Sequence, residues 1–366
     1  QANESFLDTA IELPNVQRIA KQMGFRQPGA ATSTGICNFY ILIPASTTSG
    51  GPDTSYIPIL KRGSLVGSPS GAVYTLTQDV DFTASNNEIT VARVDSDTGV
   101  PTFFAIKGQG TVVSGRLFEE EISVTNYERF LRLRLAASDV SEIISVVDSQ
   151  GNEYFQVDYL TQDVVISKEP NRGTNRDLVP FIMKTKPCPR RFVTEFDTNG
   201  NAFLQFGYGS ADNLTGDLIA NPADVVLDVT GRNYVSDPTF DPTNLIKTDK
   251  FGVVPENTTL TVVYRGNTSS TVNSAGSTVN DVVESNLTFT NRPALNDETA
   301  GTVIDSLEVE NPEPILGDTS ELTAEEIKTR AYASFASQNR AVTRTDYISL
   351  SYRMPNGFGK VKRVNI

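Results

Sequence analysis

The chain predicts an α+β, β-rich fold: several antiparallel, β-sandwich-like domains in series, flanked by N- and C-terminal helical segments. Three observations carry this expectation. From Ile36 onward, short runs rich in Val, Ile, Thr, Tyr and Phe alternate with clusters of Gly, Asn, Asp, Ser and Pro for about 260 residues, the pattern of antiparallel strands joined by turns. Near both ends the apolar residues recur at helical spacing instead. At 366 residues the chain is long enough for two to three domains, each with its own core. The expected division is a helical segment over residues 1–35, a first β-rich domain over 36–185, a second over 186–300, and a C-terminal helix pair plus strand over 301–366.

At the N-terminus, residues 5–24 read as helical, with Phe6, Leu7, Ala10 and Ile11 on one face. Pro14 then restarts the helix, Val16, Ile19, Ala20 and Met23 continue it, and Gly24 stops it. Strands are expected over residues 38–43, 72–77, 88–94, 102–107, 110–117, 142–147, 155–159 and 164–167. A hairpin should pair 192–196 with 203–206 through an Asn-Gly turn. Further strands follow at 259–265 and 286–290, separated by the Asn/Ser/Thr/Gly-rich loop 266–280. In residues 129–135, Leu131, Leu133 and Leu135 alternate with Arg132 and Arg134, so a strand there buries leucines and turns two guanidinium groups to solvent or to a partner.

The C-terminal region is the most explicit. Thr323 followed by Glu326 is a capping box, and Ile327, Ala331, Phe335 and Ala336 form one apolar stripe beyond it. Asn339 is placed to close that helix. Thr343 with Asp346 repeats the cap for a second helix carrying Tyr347 and Leu350. Charge divides sharply across this region. Residues 295–326 hold ten acids and no Lys or Arg, whereas residues 327–366 hold eight bases against Asp346 alone, a net of +7. Such a division fits either a solvated surface or the docking of an acidic edge of one copy on a basic face of its neighbour. The candidate interface residues are Arg330, Phe335, Arg340, Arg344, Tyr347 and Arg353, with Arg132 and Arg134 from the leucine-arginine strand.

Composition removes several classes of function. The formal charge is -13, and only the C-terminal basic strip could meet phosphates, so nucleic acid is not an expected partner. The chain has no histidine, which removes Ser-His and Cys-His nucleophile pairs, His-containing zinc sites and the commonest general base. Cys37 and Cys188 are too few for a disulfide framework or thiolate metal site and read as free thiols of a reducing compartment. No apolar run approaches a membrane span, so a soluble product without membrane insertion is expected. The missing initiating Met and the stop within a strand-like final run suggest a segment of a longer chain.

The motifs that imitate chemistry fail on inspection. Glu119-Glu120-Glu121 and Glu325-Glu326 are consecutive, so their side chains diverge. Gly67-Ser-Pro-Ser-Gly71 has Pro69 at the nucleophile position of a catalytic elbow and reads as a turn. Asp197, Asn199 and Asn201 alternate like calcium ligands, but Tyr208 stands where the closing acid is needed. No phosphate loop is present, and Phe206-Gly-Tyr-Gly-Ser210 is too short for a dinucleotide fingerprint. No catalytic residue, metal site or cofactor is therefore expected, and the chain reads as a non-enzyme.

Four segments together resemble the baseplate J-like family, specifically the wedge proteins of T-even-type contractile phage baseplates. They are Pro14-Asn-Val-Gln-Arg-Ile-Ala-Lys-Gln-Met-Gly-Phe25; residues 146–163; the pair Ala202-Phe-Leu-Gln-Phe-Gly-Tyr-Gly209 and Leu260-Thr-Val-Val-Tyr-Arg-Gly-Asn267; and residues 311–347. Tyr208 departs from the family pattern, which has an acid there. The resemblance implies a structural virion protein of the tail baseplate, a late product assembled in the host bacterial cytoplasm. Its implied partners are a second copy of itself, other baseplate wedge proteins, neighbouring wedges and the central hub or tube, joined as a ring. A β-sandwich adhesin or glycan-binding tail module is the alternative that the Thr/Asn/Gly-rich composition permits.

Overall fold

The computed structural model describes every residue except 1, 27, 48–49, 198–199, 210–250, 270, 320–321, 339 and 366. Strand outweighs helix, 38% against 17%, in several antiparallel sheets with helices in the terminal regions, so the fold is α+β and β-rich. The chain forms two compact units: unit 1 comprises Gln1–Phe118, Ser138–Glu142 and Arg265–Ile366, and unit 2 comprises Glu119–Ala137 and Ile143–Tyr264. The units do not follow the consecutive division expected at residues 35, 185 and 300. The reason is strand pairing across the chain: Thr34–Pro44 pairs with Pro101–Ser114 on one side and with Glu308–Glu310, some 270 residues later, on the other.

Unit 1 is built on a seven-stranded sheet in the order Asp281–Glu284, Leu65–Gly67, Val73–Leu76, Pro101–Ser114, Thr34–Pro44, Glu308–Glu310, with Glu88–Val94 added beside Pro101–Ser114. Phe39, Ile41 and Ile43 of the central strand alternate inward and are fully buried with Tyr74, Leu76, Phe82, Ile106 and Val112. The break expected between residues 107 and 110 does not occur; one strand runs from Pro101 to Ser114. Gly108 and Gly110 serve close approach there, since a Cβ would lie 2.5 Å from Val80 Cγ1 at the first and 2.7 Å from Leu76 Cδ1 at the second. The chain turns instead at Gly115, whose φ of +89° a side chain would resist. Residues 68–72 form the turn read from the sequence, with Gly71 N donating to Ser68 O.

A second, helical core belongs to the same unit. Helix α1 covers Leu13–Gln22, with Pro14 in its first turn. The preceding residues are not an extension of it: Ala2–Ser5 is a single 3-10 turn and residues 6–9 form further turns. Consequently Leu7 and Ala10 are buried while Phe6 and Ile11 face solvent, a correction to the single apolar face expected. The Glu4 carboxylate organises the junction by accepting from Ile11 N and Glu12 N at 3.0 and 3.3 Å and from Asn15 Nδ2 at 3.1 Å. The Ile11 amide foremost stabilises the carboxylate and holds its pKa below the ordinary carboxylate value.

Helix α2, Asp297–Asp305, was not expected from the sequence; Asn296 caps it by accepting from the amides of Glu298 and Thr299. Its apolar side is short, Ala300 and Val303, which is why periodicity did not reveal it. The final run, residues 360–365, is irregular and not a strand.

Unit 2 contains the expected hairpin: Arg191–Phe196 pairs with Ala202–Phe206 in the register Phe192↔Phe206 to Phe196↔Ala202. Residues 198–199 of its turn, Asn199 of the expected Asn-Gly pair among them, lie outside the described residues; Gly200 has a φ of +79° and its amide donates to Asp197 O. The Asp197 carboxylate accepts from the amide and side chain of Asn201, which is turn chemistry, as the sequence favoured over calcium. Arg132–Arg134 and Phe155–Gln156 flank the hairpin in a four-stranded sheet. Portions of Arg116–Val124, Val140–Asp148 and Thr258–Gly266 supply a three-stranded sheet with the last in the middle. Arg191 is fully buried; its Nε donates to Leu160 O and its Nη1 to Cys188 O, at 2.6 and 2.8 Å. Val164–Pro170 and Phe181–Pro187 form a two-stranded hairpin.

Candidate functional site: the C-terminal helix pair

Helices α3, Ala324–Ser337, and α4, Arg344–Tyr352, begin with the two capping boxes read from the sequence. Thr323 Oγ1 accepts from Glu326 N at 3.3 Å and the Glu326 carboxylate accepts from Thr323 N at 3.0 Å; Thr343 and Asp346 repeat the exchange at 3.3 and 2.9 Å. Asn339, expected to close α3, lies outside the described residues, and Gln338 ends the helix at a φ of +52°.

The stripe that α3 buries is rotated from the one its sequence suggested. Ile327, Lys328, Ala331, Ser334 and Ser337 are buried, whereas Phe335 is 60% exposed and Ala336 is also outside. The partner decides this. Ile327 and Ala331 pack with Leu7, Ala10, Val16, Ala20 and Phe25, so the α1 side draws in one half of the helix. Two polar ties fix the same face: Tyr332 OH donates to Asp8 Oδ1 at 2.7 Å, and Lys328 Nζ reaches Glu325 Oε1 at 2.7 Å and Asp8 O at 3.4 Å.

Each candidate interface residue can now be placed. Arg330 lies 4.3 Å over the Tyr352 ring and so ties α3 to α4, as does the buried contact from Ser337 Oγ to Ser349 Oγ. Arg344 donates to Asn365 Oδ1 at 2.8 Å, and Arg353 Nη1 donates to Gln338 O. Arg340 is exposed, as is Tyr347 at 52%. Arg330 and Arg344 are thus held in place by neutral groups, an aromatic face and an amide, which fixes their direction without cancelling their charge. Arg132 and Arg134 belong to unit 2 and engage their own sheet: Arg132 stacks 3.9 Å over Phe203 and lies 3.6 Å from Glu195, and Arg134 donates to Asn201 Oδ1 at 2.7 Å. Leu131 and Leu135 are buried beside them, with Leu133 half-buried.

Sequence reasoning missed a groove of about 680 Å³ alongside α4, floored by Tyr347, Leu350, Met354, Val361 and Val364 and edged by Arg363. Val342 and Phe358, in the loops bordering α4, are exposed as well. The available signal is Val361 and Val364 spaced by Lys362 and Arg363, in a run whose composition is strand-like.

Part of the charge division is satisfied within the chain. Lys362 Nζ lies 3.0 Å from Glu326 Oε1, across the boundary at which the sequence changes sign. The Thr323 amide, with Lys362 next, holds the Glu326 carboxyl down from an ordinary 4.5 to about 2. A depressed carboxyl stabilises the fold fully above its unfolded value and loses that contribution as pH falls. The tie between α3 and residues 360–365 is therefore expected to weaken from about pH 4.5 down to about 2. A two-dimensional NMR titration should show the Thr323 and Glu326 amides shifting in that window, and Glu326→Gln should abolish the shift.

Burial pushes the Cys37 thiol up to about 12 and raises that of Cys188 despite the adjacent Arg191, so both are poor nucleophiles at neutral pH. Among the described residues no group of three His, Cys, Asp or Glu side chains could hold a metal ion, and no helix is long and apolar enough to cross a membrane. No protein-family model and no curated protein sequence matches this chain.

Proposed function

We propose that this chain is a non-enzymatic structural subunit of a contractile phage tail baseplate, a wedge component that joins a second copy and other wedge proteins into a ring around the central hub. The observation that carries the reading is the C-terminal helix pair: two guanidinium groups pinned by neutral partners beside Phe335, Val342 and Tyr347, which are left in solvent. Exposed apolar side chains among fixed like charges are suited to docking, with the charge setting register and association rate. The place of action follows from the same reading, the virion after assembly in the host cytoplasm.

Reversal of Arg340, Arg344 and Arg353 to Glu together is expected to abolish self-association at low salt in sedimentation velocity. All three are exposed, so circular dichroism should be unchanged. Self-association equal to wild type would remove the electrostatic part of the reading.

One observation favours the glycan-binding alternative. The half-exposed Phe130, at a φ of +54°, stacks on Tyr208 with centroids 5.7 Å apart. Residues held in that region are strained, and an exposed ring so held offers a flat face on which a sugar could stack. Retardation of the protein by a polysaccharide in affinity electrophoresis would decide for it.

A further inference from the structure

We infer that the hairpin formed by Val164–Pro170 and Phe181–Pro187 is an arm that a second copy of this chain receives on its acidic surface at residues 297–313. The inference rests on the self-association proposed above and names a different surface for it.

The hairpin's two strands pair with each other and, among the described residues, with no further strand, so two rows of backbone donors and acceptors stand at open edges. The register places Val164, Ile166, Met183 and Phe181 on one face, and Glu169, Ile182, Lys184 and Lys186 on the other. Every position of Phe181–Pro187 is exposed. Ile166 is 71% exposed, Met183 69%, and Leu178 in the connecting loop 87%. With Val164, Val179, Phe181 and Ile182 this makes seven large apolar side chains in solvent. At on the order of 100 Å² each they approach the ~800 Å² per partner of a standard interface. A two-stranded ribbon is at best marginally stable without a covered face, so this one is suited to being enclosed.

Charge indicates what covers it. Residues 164–187 hold five bases and two acids, a net of +3, in a chain of -13; the remainder is therefore -16. The Glu169–Lys184 pair, at 2.6 Å, is internal to the hairpin. Lys168 and Lys186 lie over the Phe181 and Phe155 rings, neutral partners, at 3.9 and 4.5 Å. The most acidic stretch of the chain, residues 295–326, has no base, and Asp297, Glu298, Asp305, Glu308 and Glu313 are exposed on it. An arm and a receptor on different parts of one sequence form a heterologous contact, which repeats from copy to copy and closes as a ring when the rotation permits.

The test is sedimentation equilibrium of the full chain carrying Ile166→Ser, Leu178→Ser and Met183→Ser together, beside Lys168→Glu with Lys186→Glu. Both variants alter exposed side chains, and unchanged thermal unfolding checks the fold. Each should weaken self-association at least tenfold. Mixing the charge-reversed hairpin with a copy bearing Asp305→Lys, Glu308→Lys and Glu313→Lys should restore hetero-association. Wild-type affinity in both variants overturns the arm while leaving the helix-pair reading intact; a wild type that stays monomeric overturns both. Binding to phosphatidylglycerol vesicles that the variants lose, with self-association unchanged, overturns the arm in favour of a lipid surface.

Discussion

Replacement of Phe39 by Ala is expected to cost unit 1 about 3–5 kcal/mol, the range for deleting a fully buried aromatic ring. Phe39 has no exposed surface and sits in the central strand between its register partners Gly108 and Val309. The glycines opposite are the reason for the high cost. Side chains already crowd that side: Cε2 of Phe39 would lie 3.2 Å from any Cβ at Gly110. Removing the ring leaves a void bounded by paired strands, which relax less readily than loops. In urea the transition of unit 1 should fall by roughly 1 M or more at a slope of about 3 kcal/mol/M. Hydrogen exchange should localise the loss to Thr34–Pro44 and Pro101–Ser114, with the hairpin Arg191–Phe196/Ala202–Phe206 protected as before.

Gly207→Ala should have a comparable effect on unit 2, by overpacking and not by a cavity. A Cβ at Gly207 would stand 1.9 Å from Phe251 O and 2.6 Å from Gly252 O, both backbone atoms with no rotamer to escape by. Accommodation has to separate two chain segments, breaking the bonds from Tyr208 N and Gly209 N to Gly252 O and from Val254 N to Gly209 O. Strain of 1–3 kcal/mol with about 1 kcal/mol per weakened hydrogen bond gives a loss of roughly 3 kcal/mol or more. For a unit of this size the melting temperature should drop by about 10 °C. Gly301→Ala is the contrasting control. Gly301 lies in α2 with nothing near its missing Cβ, so alanine there should stabilise by about 0.5–1 kcal/mol. Equal effects of the two substitutions would show that the close approach at Gly207 is unimportant.

The two glycine classes explain where sequence reading lost the fold. Gly108 and Gly110 look like punctuation, yet they lie inside a fourteen-residue strand because Val80, Phe82 and Leu76 need the space. Gly115, with positive φ, is the true turn. Nothing local separates the two uses; the distinction depends on what lies across the sheet. The stripe of α3 was displaced for the same reason. Its spacing is right for a helix, but Phe335 or Ser334 can equally edge the apolar side until α1 supplies Leu7, Val16 and Ala20. Of the candidate interface, Phe335 reads from its spacing as part of the apolar stripe yet is exposed, and the neutral anchoring of Arg330 and Arg344 depends on Tyr352 and Asn365, whose positions spacing does not give.

The sequence by itself determined the β-rich class, the helix restart at Pro14 in the first turn of α1, the hairpin around residues 192–206, both C-terminal capping boxes and the division of charge at Ile327. Each rests on interactions within a few residues, which local chemistry dictates. Tertiary structure alone decided that the units are interleaved, that Glu308–Glu310 joins the sheet of Thr34–Pro44, and that the hairpin of residues 164–187 carries its apolar face in solvent. Those outcomes depend on which distant surfaces compete successfully for burial, and no window of sequence contains both competitors.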